Sequence, residues 1–386
     1  MGRYDETVCC CALGRIFGYK PGLVLPMIEA FGSASAIFEA GADEMDEILG
    51  PFSEFKGRIR VEELERSADE LNRLWNQGAR FLPVTSPDYP ALLKECPDPP
   101  AGLYYSAVSE PEDIFHGNAF IAVVGTRDIS QYGKEWCSRI VQGLSHGGDG
   151  PCIVSGLALG TDITAHLTAL DCGVKTIAVM ATGIDDIYPW RHRGHAARIA
   201  STPGCALISD YPPGTAPLQM NFLRRNRIIA GMSRATVLIE SKIKGGGMMT
   251  AGLASSYGRD VYALPGRVDD LRSQGCNDLI RRKIAEPITD IHSFGESLGM
   301  NVIDSPARDD PAGFVNSFYS GMMDAEVKEK LILILSAVRK NRGIDIEELS
   351  IRLAMPFNEV AELANLLESD GIISIDLLQR CTVIMK

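Results

Sequence analysis

Phe120-Ile-Ala-Val-Val124, followed directly by Gly125-Thr-Arg127, gives the clearest indication of the fold class. Five apolar residues in a row are typical of a strand that is buried on both faces, and a glycine after it permits a tight turn. Similar runs, each followed by helix-like sequence, are Cys152 to Ser155, Thr176 to Met180, Ala206 to Ser209, Thr236 to Glu240 and Val261 to Leu264. This alternation predicts an α/β fold with a doubly wound, mostly parallel, Rossmann-like sheet covered by helices on both faces.

Small and charged residues follow these runs. In such sheets ligands bind at the carboxyl ends of the strands, which all lie at the same edge of the sheet. The strand ends read Gly125-Thr126-Arg127, Ser155-Gly156, Thr182-Gly183, Glu240-Ser241-Lys242 and Pro265-Gly266-Arg267. We therefore expect one rim that carries two arginines and a lysine.

A second informative stretch is Gln219-Met-Asn-Phe-Leu-Arg-Arg-Asn-Arg-Ile-Ile-Ala-Gly231, which precedes the loop Lys242-Ile-Lys-Gly-Gly-Gly247. Phe222 can stack on a base, and bare glycine amides can approach a phosphate closely. Because an unpaired buried charge is very costly, some of the arginines in this stretch should face solvent or an anion. The combination suits a nucleic-acid backbone better than a metabolite.

The distribution of charge supports the same interpretation. The formal net charge is −12, which would ordinarily argue against a polyanionic partner. Only residues 216–295 are positive, with 12 basic and 7 acidic side chains. A local field, more than the net charge, holds a phosphate chain. A solvated basic helix on an ordinary enzyme is the alternative explanation of this segment.

The length of 386 residues exceeds what one core usually supports. We predict a helical domain at 1–80, a sheet domain at 81–300 with its core at 115–290, a linker at 301–322 and a tail domain at 323–386. The proline-rich stretch 81–115 is expected to lack regular structure. In the tail, three helices and two short β-like runs follow the order of a winged helix.

The chain shows no sign of export or of membrane insertion. Its ten cysteines include no Cys-x-x-Cys pair, which is typical of reduced core residues in a cytosolic protein. The start of the chain is too acidic, and its apolar patch too short, for a secretory signal. No run approaches the ~20 apolar residues of a membrane helix. We therefore expect a cytoplasmic protein that does not contact a membrane.

Several familiar sites are incomplete here. Gly125-Thr-Arg127 lacks the remaining glycines of a dinucleotide site, and Gly245-Gly-Gly-Met-Met-Thr250 lacks the Gly-Lys-Ser/Thr ending of a P-loop. His192-x-x-His195 has no Glu or Cys to complete a metal site and is expected to be a solvated helix face. Asp162 could orient His166 as a base, but packing is the favoured role of this histidine. We predict no catalytic residue, no metal and no cofactor.

Taken together, the motifs resemble the bacterial DNA-processing protein A family, known as DprA or Smf. The motifs are Val124-Gly-Thr-Arg127, Ser130-Gln-Tyr-Gly133, Ile153-Val-Ser-Gly-Leu-Ala-Leu-Gly-Thr-Asp-Ile-Thr-Ala-His166, Gly183-Ile-Asp-Asp-Ile-Tyr-Pro189, Phe222-Leu-Arg-Arg-Asn-Arg-Ile-Ile-Ala-Gly231 and Leu264-Pro-Gly266. They cover residues 115–290 in the family's order. The front of the chain resembles the family's sterile-alpha-motif (SAM)-like extension, and the tail resembles its winged-helix end.

The resemblance implies a non-catalytic protein that binds single-stranded DNA on an extended Rossmann domain. It also implies protection of incoming DNA, a homodimer formed through that domain, and loading of the RecA recombinase in natural transformation and recombination. The implied DNA-binding residues are Gly125, Thr126, Arg127, Ser155, Gly156, Phe222, Arg224, Arg225, Asn226, Arg227, Lys242, Lys244, Gly245, Gly246, Gly247 and Thr250. The implied dimer surface lies at 276–285, with Leu279 and Ile280 as its apolar members, although Arg281-Arg-Lys283 beside them could equally extend the DNA path.

Two departures from the family pattern concern lysines. Gln219 stands where some relatives have a lysine, and the family's Lys-Ser-Gly-Ser loop is Lys242-Ile-Lys-Gly here. We expect DNA binding to persist, with the lysine contribution moved to Lys244.

Two other functions are considered. Related Rossmann phosphoribohydrolases cleave nucleoside monophosphates with a glycine loop that contains a glutamate, and the loop from Gly245 to Ala254 has none. A nucleotide-binding or phosphoribohydrolase-type enzyme is kept as the alternative function, although this glutamate is missing. A transcription regulator would need a basic recognition helix, whereas 358–370 carries acidic residues and no basic one.

Overall fold

The apolar runs form the centre of one large sheet in the computed structural model, which describes residues 4–117, 119–145, 150–300, 311–321, 323–341 and 343–383. The chain divides into two compact units, residues 1–303 and 304–386. None of the helices in the described ranges is both long and apolar enough to cross a lipid bilayer.

The strands of the first unit are β1 (Ala79–Pro83), β2 (Gly102–Ser106), β3 (Phe120–Val124), β4 (Cys152–Ser155), β5 (Thr176–Val179), β6 (Ala206–Ser209), β7 (Ala235–Leu238), β8 (Asp260–Ala263) and β9 (Glu286–Pro287). They form one sheet in the order β1-β2-β6-β5-β4-β3-β7-β8-β9. From β6 to β9 all neighbours are parallel, whereas β1 and β2 pair antiparallel with each other and β2 pairs antiparallel with β6. The predicted α/β class with a mostly parallel sheet is confirmed.

The helices of this unit are α1 (Glu6–Phe17), α2 (Val24–Phe31), α3 (Ala34–Glu39), α4 (Ala42–Leu49), α5 (Val61–Asn76), α6 (Ala91–Lys94), α7 (Pro111–Phe115), α8 (Gln131–Gly143), α9 (Thr161–Asp171), α10 (Arg193–Ser201), α11 (Gln219–Met232), α12 (Gly246–Ser256), α13 (Gln274–Arg281) and α14 (Ile291–Ser297). Short 3₁₀ turns lie at Pro21–Leu23, Lys56–Arg58 and Trp190–His192. The front of the chain is helical as predicted, although its SAM-like identity stays a prediction.

The central strands are buried on both faces. In β3, Ile121 and Val123 pack into one apolar core, and Ala122 and Val124 pack into another on the opposite face. Successive side chains of a strand point to opposite faces, so a run that is apolar at every position needs cover on both sides. The core that contains Ala122 also includes Leu13 of α1, so the front helices share it with the sheet.

The prediction that 81–115 lacks regular structure was wrong. The segment contains β2, and β1 ends inside it at Pro83. Proline cannot donate a ladder hydrogen bond, but β1 is the edge strand, so one of its sides needs no partner. The prolines therefore mark the end of an edge strand and do not exclude the strand.

The second unit contains α15 (Pro311–Phe318), α16 (Ala325–Lys340), β10 (Ile344–Asp345), α17 (Ile346–Leu353), α18 (Phe357–Ser369), β11 (Ile373–Ile375) and β12 (Arg380–Val383). The three strands pair in the order β10-β12-β11 beside their own apolar core. The predicted linker, 301–322, lies partly outside the described residues, and its described part includes α15, so the prediction of an irregular segment was wrong there. The winged-helix assignment stays a prediction.

Candidate nucleic-acid interface

The site begins at the point where the strand order reverses. From β3 the chain continues through β4, β5 and β6 on one side, then returns to place β7 on the other side of β3. The loops that follow β3 and β7 therefore leave the sheet toward different faces and open a crevice between them. Ligands of open α/β sheets bind in this position.

Two glycines allow these loops to touch. A Cβ atom on Gly125 would overlap Thr161 Oγ1 and lie 3.0 Å from the carbonyl oxygen of Glu240. A Cβ atom on Gly247 would lie 3.2 Å from the Cα atom of Gly125. The backbone of the β3 loop thus passes directly against the start of α12, where only hydrogen fits.

The start of α12 can receive an anion. Its N-cap, Gly245, has no side chain to accept a hydrogen bond from the first turn. The amides of a first helical turn lack intrahelical acceptors and carry the positive end of the helix dipole. Lys242 and Lys244, in the loop just before this helix, are both exposed. Backbone amides and two lysine side chains are therefore available to phosphates at one end of the crevice.

Arg127 and Phe222 meet at the crevice. The guanidinium carbon of Arg127 lies 5.1 Å from the centre of the Phe222 ring. The Tyr188 ring contacts the same phenylalanine edge to face, with centroids 5.4 Å apart. Phe222 is only partly buried and Arg127 is exposed. A cation, a partly open aromatic face and a second ring thus lie together, a combination that can stack a base and contact a phosphate.

No carboxylate among the described residues forms an ion pair with Arg127. The nearest acidic neighbour in sequence, Asp128, is engaged by Arg272, whose Nη2 lies 2.9 Å from the Asp128 carboxylate. Arg272 Nε also donates to the Asp128 carbonyl oxygen at 3.0 Å. The charge beside Arg127 is therefore neutralised from the β8 loop, which leaves Arg127 free to meet an anion.

The end of β7 carries a buried carboxylate that the sequence did not reveal as important. Glu240 accepts hydrogen bonds from the Ser130 amide at 2.8 Å and from the Ser130 hydroxyl at 2.5 Å. Ser130 is the N-cap of α8, and a negative charge at a helix N-terminus is stabilising. Glu240 therefore fixes the β3 loop to the β7 loop. The only sequence signal for this role was an acidic residue at the end of an apolar run.

The three arginines of α11 have three different environments. Successive side chains of a helix point about 100° apart, so neighbouring arginines face different surroundings. Arg224 points toward the front helices, where it donates a hydrogen bond to the Gly18 carbonyl. Its guanidinium carbon lies 4.6 Å from the centre of the Tyr19 ring. These contacts engage Arg224 with the front of the chain, and its predicted role in DNA binding stays a prediction.

Arg225 lies beneath the β4 loop and is only 3% exposed. A Cβ atom on Gly156 would overlap its guanidinium group, so this glycine makes room for the arginine. Its Nε and Nη1 atoms have no hydrogen-bond acceptor among the described residues. Burial lowers the pKa of Arg225, and the neighbouring carboxylate of Asp162 opposes that effect. Arg225 acts on the crevice as a fixed charge below its surface.

Arg227 is buried in an ion pair. Its guanidinium bonds to the Asp210 carboxylate and donates to the Asp98 carbonyl oxygen at 2.6 Å. Burial disfavours its charge, but Asp210 and Asp98 outweigh burial and raise the pKa of Arg227. The predicted DNA contact is corrected here, because both sides of this guanidinium are already used inside the protein.

Other predicted site residues divide by exposure. Thr126, Asn226 and Gly245 are partly exposed, and Gly246 is exposed. Ser155, Gly247 and Thr250 are buried; Ser155 Oγ donates to the Val123 carbonyl at 2.6 Å and joins β4 to β3. The buried residues shape the crevice from below and do not present side chains to a ligand.

The predicted dimer surface contains one residue that faces inward. Leu279 is buried in the main core, whereas Ile280 is only partly buried. Beside them, Arg281 and Arg282 pair with Asp278. Leu279 is therefore corrected from an interface residue to a core residue, because its side chain already packs within the chain.

His166 and His192 have structural roles. Thr176 Oγ1 donates to the Ile153 carbonyl and accepts from His166 Nδ1 at 2.7 Å, and burial lowers the pKa of His166 to about 3. His192 was expected on a solvated helix face, and this prediction was wrong. His192 is buried, and its Nδ1 donates to the Leu157 carbonyl at 2.8 Å. Within the described ranges, no group of three or more His, Cys, Asp or Glu side chains is arranged to hold a metal.

Comparison with known proteins gives a consistent set of relatives. Smf from Synechocystis sp. is 40% identical over 301 residues, which are 76% of this chain and 73% of that protein. DprA from Streptococcus pneumoniae is 39% identical over 197 residues, which are 50% of this chain and 65% of that protein.

Two solved structures have a similar fold. The X-ray structure of DprA from Streptococcus pneumoniae has a TM-score of 0.62 and 30% identity, and covers 72% of this chain and 93% of its own. DprA from Helicobacter pylori, described for its single-stranded DNA binding mode, has a TM-score of 0.50 and 29% identity and covers 55% and 94%. A family model described as DNA recombination-mediator protein A matches residues 80–299, more than half of the chain. This chain therefore belongs to the DNA recombination-mediator protein A family, whose members are named DprA or Smf.

Proposed function

We propose that this protein binds single-stranded DNA at the crevice between the β3 and β7 loops and transfers it to the RecA recombinase without changing it chemically. The protein would act in the cytoplasm as a homodimer formed through its sheet unit, in recombination and natural transformation. The observation that carries the proposal is the Arg127 guanidinium over the Phe222 ring, beside the uncapped start of α12. Membership of a family with a relative described as a single-strand binder supports it.

The residues of the crevice would divide the work of binding. Arg127, Lys242, Lys244 and the first amides of α12 would neutralise consecutive phosphates, while Phe222 would stack on a base. Stacking on an aromatic side chain does not discriminate between bases, because every base has a π-face. Buried Arg225 would add a fixed positive charge below the strand. The result is a binder that tolerates many sequences.

The acidic residues nearest the crevice support a role without catalysis. Glu240 uses its carboxylate to cap α8 through Ser130. Asp162 is buried and accepts a hydrogen bond from the Ala158 amide at 3.2 Å. A general acid or base must reach the proton that it transfers, and both carboxylates are directed into the protein framework. Neither Glu240 nor Asp162 is therefore placed to act as the acid or base of the phosphoribohydrolase alternative.

The test is a comparison of binding by fluorescence anisotropy with a single-stranded oligonucleotide, its duplex and a mononucleotide on one preparation. We expect strong binding to the single strand alone, with log affinity falling by ~0.7 per log salt for each phosphate neutralised. Arg127→Ala should weaken binding and flatten that slope. Arg66→Ala is the matched control, because Arg66 is an exposed arginine on α5, paired with Glu63, outside the crevice.

The recombinase step is measured with the same proteins, as the lag before RecA polymerises on a strand coated with single-strand-binding protein. The wild type and Arg66→Ala should shorten the lag, and Arg127→Ala should not. An unchanged affinity and salt slope for Arg127→Ala would remove this residue from the site. Release of free base from a nucleoside monophosphate would favour the enzyme alternative.

A further inference from the structure

An exposed aromatic and basic surface adjoins the crevice outside the predicted contact residues. It consists of Tyr188, Trp190, Arg191 and Arg193, in the loop from β5 to α10 and at the first residue of that helix, and is called the Trp190 surface here. Trp190 is 72% exposed and Tyr188 is 45% exposed. Exposure of two large rings on one short loop is costly in water unless a partner covers them.

The Trp190 surface is continuous with the crevice. Tyr188 contacts Phe222 edge to face with centroids 5.4 Å apart, and Phe222 lies under Arg127. Two residues beyond Tyr188, the Trp190 ring has the Arg193 guanidinium 6.0 Å from its centre. Three rings, Phe222, Tyr188 and Trp190, therefore lie between the guanidinium groups of Arg127 and Arg193.

The loop is held in place by hydrogen bonds within the protein. Thr182 Oγ1 donates to the Asp186 carbonyl at 2.5 Å, and His192 Nδ1 donates to the Leu157 carbonyl at 2.8 Å. The Asp185 carboxylate accepts from the Gly214 amide at 3.0 Å. A ligand that meets rings already fixed in position loses less conformational freedom on binding.

The charge of the Trp190 surface favours a polyanion. Arg191 and Arg193 are exposed, and neither forms an ion pair with a carboxylate of the described chain. The one exposed acid of the loop, Asp185, is engaged by the Gly214 amide. Exposed aromatic rings beside guanidinium groups without an acidic partner suit the bases and phosphates of a single strand.

We propose that the Trp190 surface is a second subsite for the same DNA strand, where Tyr188 and Trp190 stack on bases and Arg191 and Arg193 contact phosphates. This inference rests on the proposed function of the crevice. The strand would cross Phe222 and continue over the β5–α10 loop, which lengthens the binding site on one protomer.

The experiment uses the 386-residue chain and two oligothymidylates, one of about 4 nucleotides that fills the crevice and one of about 20 that reaches the subsite. Trp190→Ala should weaken binding of the long oligonucleotide at least about fivefold, the loss of one stacked base, and leave the short one unchanged. Trp75→Ala is the matched control. Like Trp190, Trp75 is exposed, at 62%, and it has the Arg80 guanidinium 3.6 Å from its ring centre. It lies on α5 and not on the Trp190 surface.

The outcomes separate the two proposals. Failure of the wild type to bind either oligonucleotide would overturn the proposed function itself. Wild-type binding with no change in Trp190→Ala would overturn only the second subsite. An equal loss in Trp75→Ala would also overturn it, because the effect would not be specific to this surface.

A spectroscopic readout tests contact directly. The chain has 3 tryptophans, so Trp75→Phe combined with Trp136→Phe leaves Trp190 as the only one. We expect the long oligonucleotide to quench its fluorescence, because a stacked base lies against the indole, and the short one to leave it unchanged. No quenching by the long oligonucleotide at saturation would contradict the subsite, whereas quenching by a recombinase alone would assign the surface to a protein partner.

Discussion

At the scale of residues, the arginines predicted to bind DNA have different environments. Arg127 is exposed at the crevice, whereas Arg225 and Arg227 are both buried. Sequence reasoning could predict that some arginine meets an anion, because burial of unpaired charges is costly. It could not tell which one, because the partner of Arg227, Asp210, follows another strand and is brought near only by the fold.

The role of Arg227 is tested by Arg227→Met. Removal of one partner of a buried ion pair leaves the other charge uncompensated, so the free energy of unfolding should fall by about 3–5 kcal/mol. The measurement is denaturant unfolding. Because we assign no DNA contact to Arg227, the folded fraction should keep the wild-type salt slope of single-strand binding.

The control is the double variant Arg227→Met with Asp210→Leu, which removes both charges. It should be more stable than the single variant, since replacing both members of a buried pair by apolar residues is often neutral. A variant with wild-type stability and a flatter salt slope would instead return Arg227 to the DNA-binding residues.

At the scale of elements, the sequence predicted the parallel strands well and the edge strands poorly. The run Phe120 to Val124 became β3 with the same bounds, because every position of a doubly covered strand is apolar. β1 ends at a proline, and β2 follows a proline-rich stretch. Their pairing depends on contacts across the sheet that local sequence patterns do not reveal. The close contact between the β3 and β7 loops could not be predicted from the sequence for the same reason.

The close contact between the β3 and β7 loops is tested with Gly125→Ala. A methyl group there would overlap Thr161 Oγ1 and press on the Glu240 carbonyl, so the loops must separate. Overpacking of this kind costs about 1–3 kcal/mol. We expect a lower melting temperature together with weaker single-strand binding, measured by calorimetry and anisotropy, because Arg127 and the start of α12 move apart.

Gly246→Ala is the matched control in the same crevice. Gly246 is exposed, and a Cβ atom there meets nothing within 4 Å. Its melting temperature should therefore remain at or slightly above that of the wild type, since alanine favours a helix. Equal destabilisation of the two variants would show that the loops do not depend on close contact at Gly125.

At the scale of the whole molecule, counts of charge overstate the positive field of residues 216–295. Many of its basic residues are paired within the protein: Arg227 with Asp210, Arg259 with Glu95, Arg267 with Asp269, Arg272 with Asp128, and Arg281 with Asp278. Lys242 and Lys244 have no ion-pair partner among the described residues. The sequence located the positive segment correctly, but only the structure shows which charges remain free.

The division into two units predicts where single-strand binding belongs. All crevice residues lie in residues 1–303, and residues 304–386 have an apolar core built from their own side chains. We expect a chain of residues 1–303 to fold, as judged by circular dichroism, and to bind a single-stranded oligonucleotide with the affinity and salt slope of the 386-residue chain. Residues 304–386, added separately, should change neither value. A folded 1–303 chain with weaker binding, restored only in the 386-residue chain, would place part of the DNA-binding surface on the second unit.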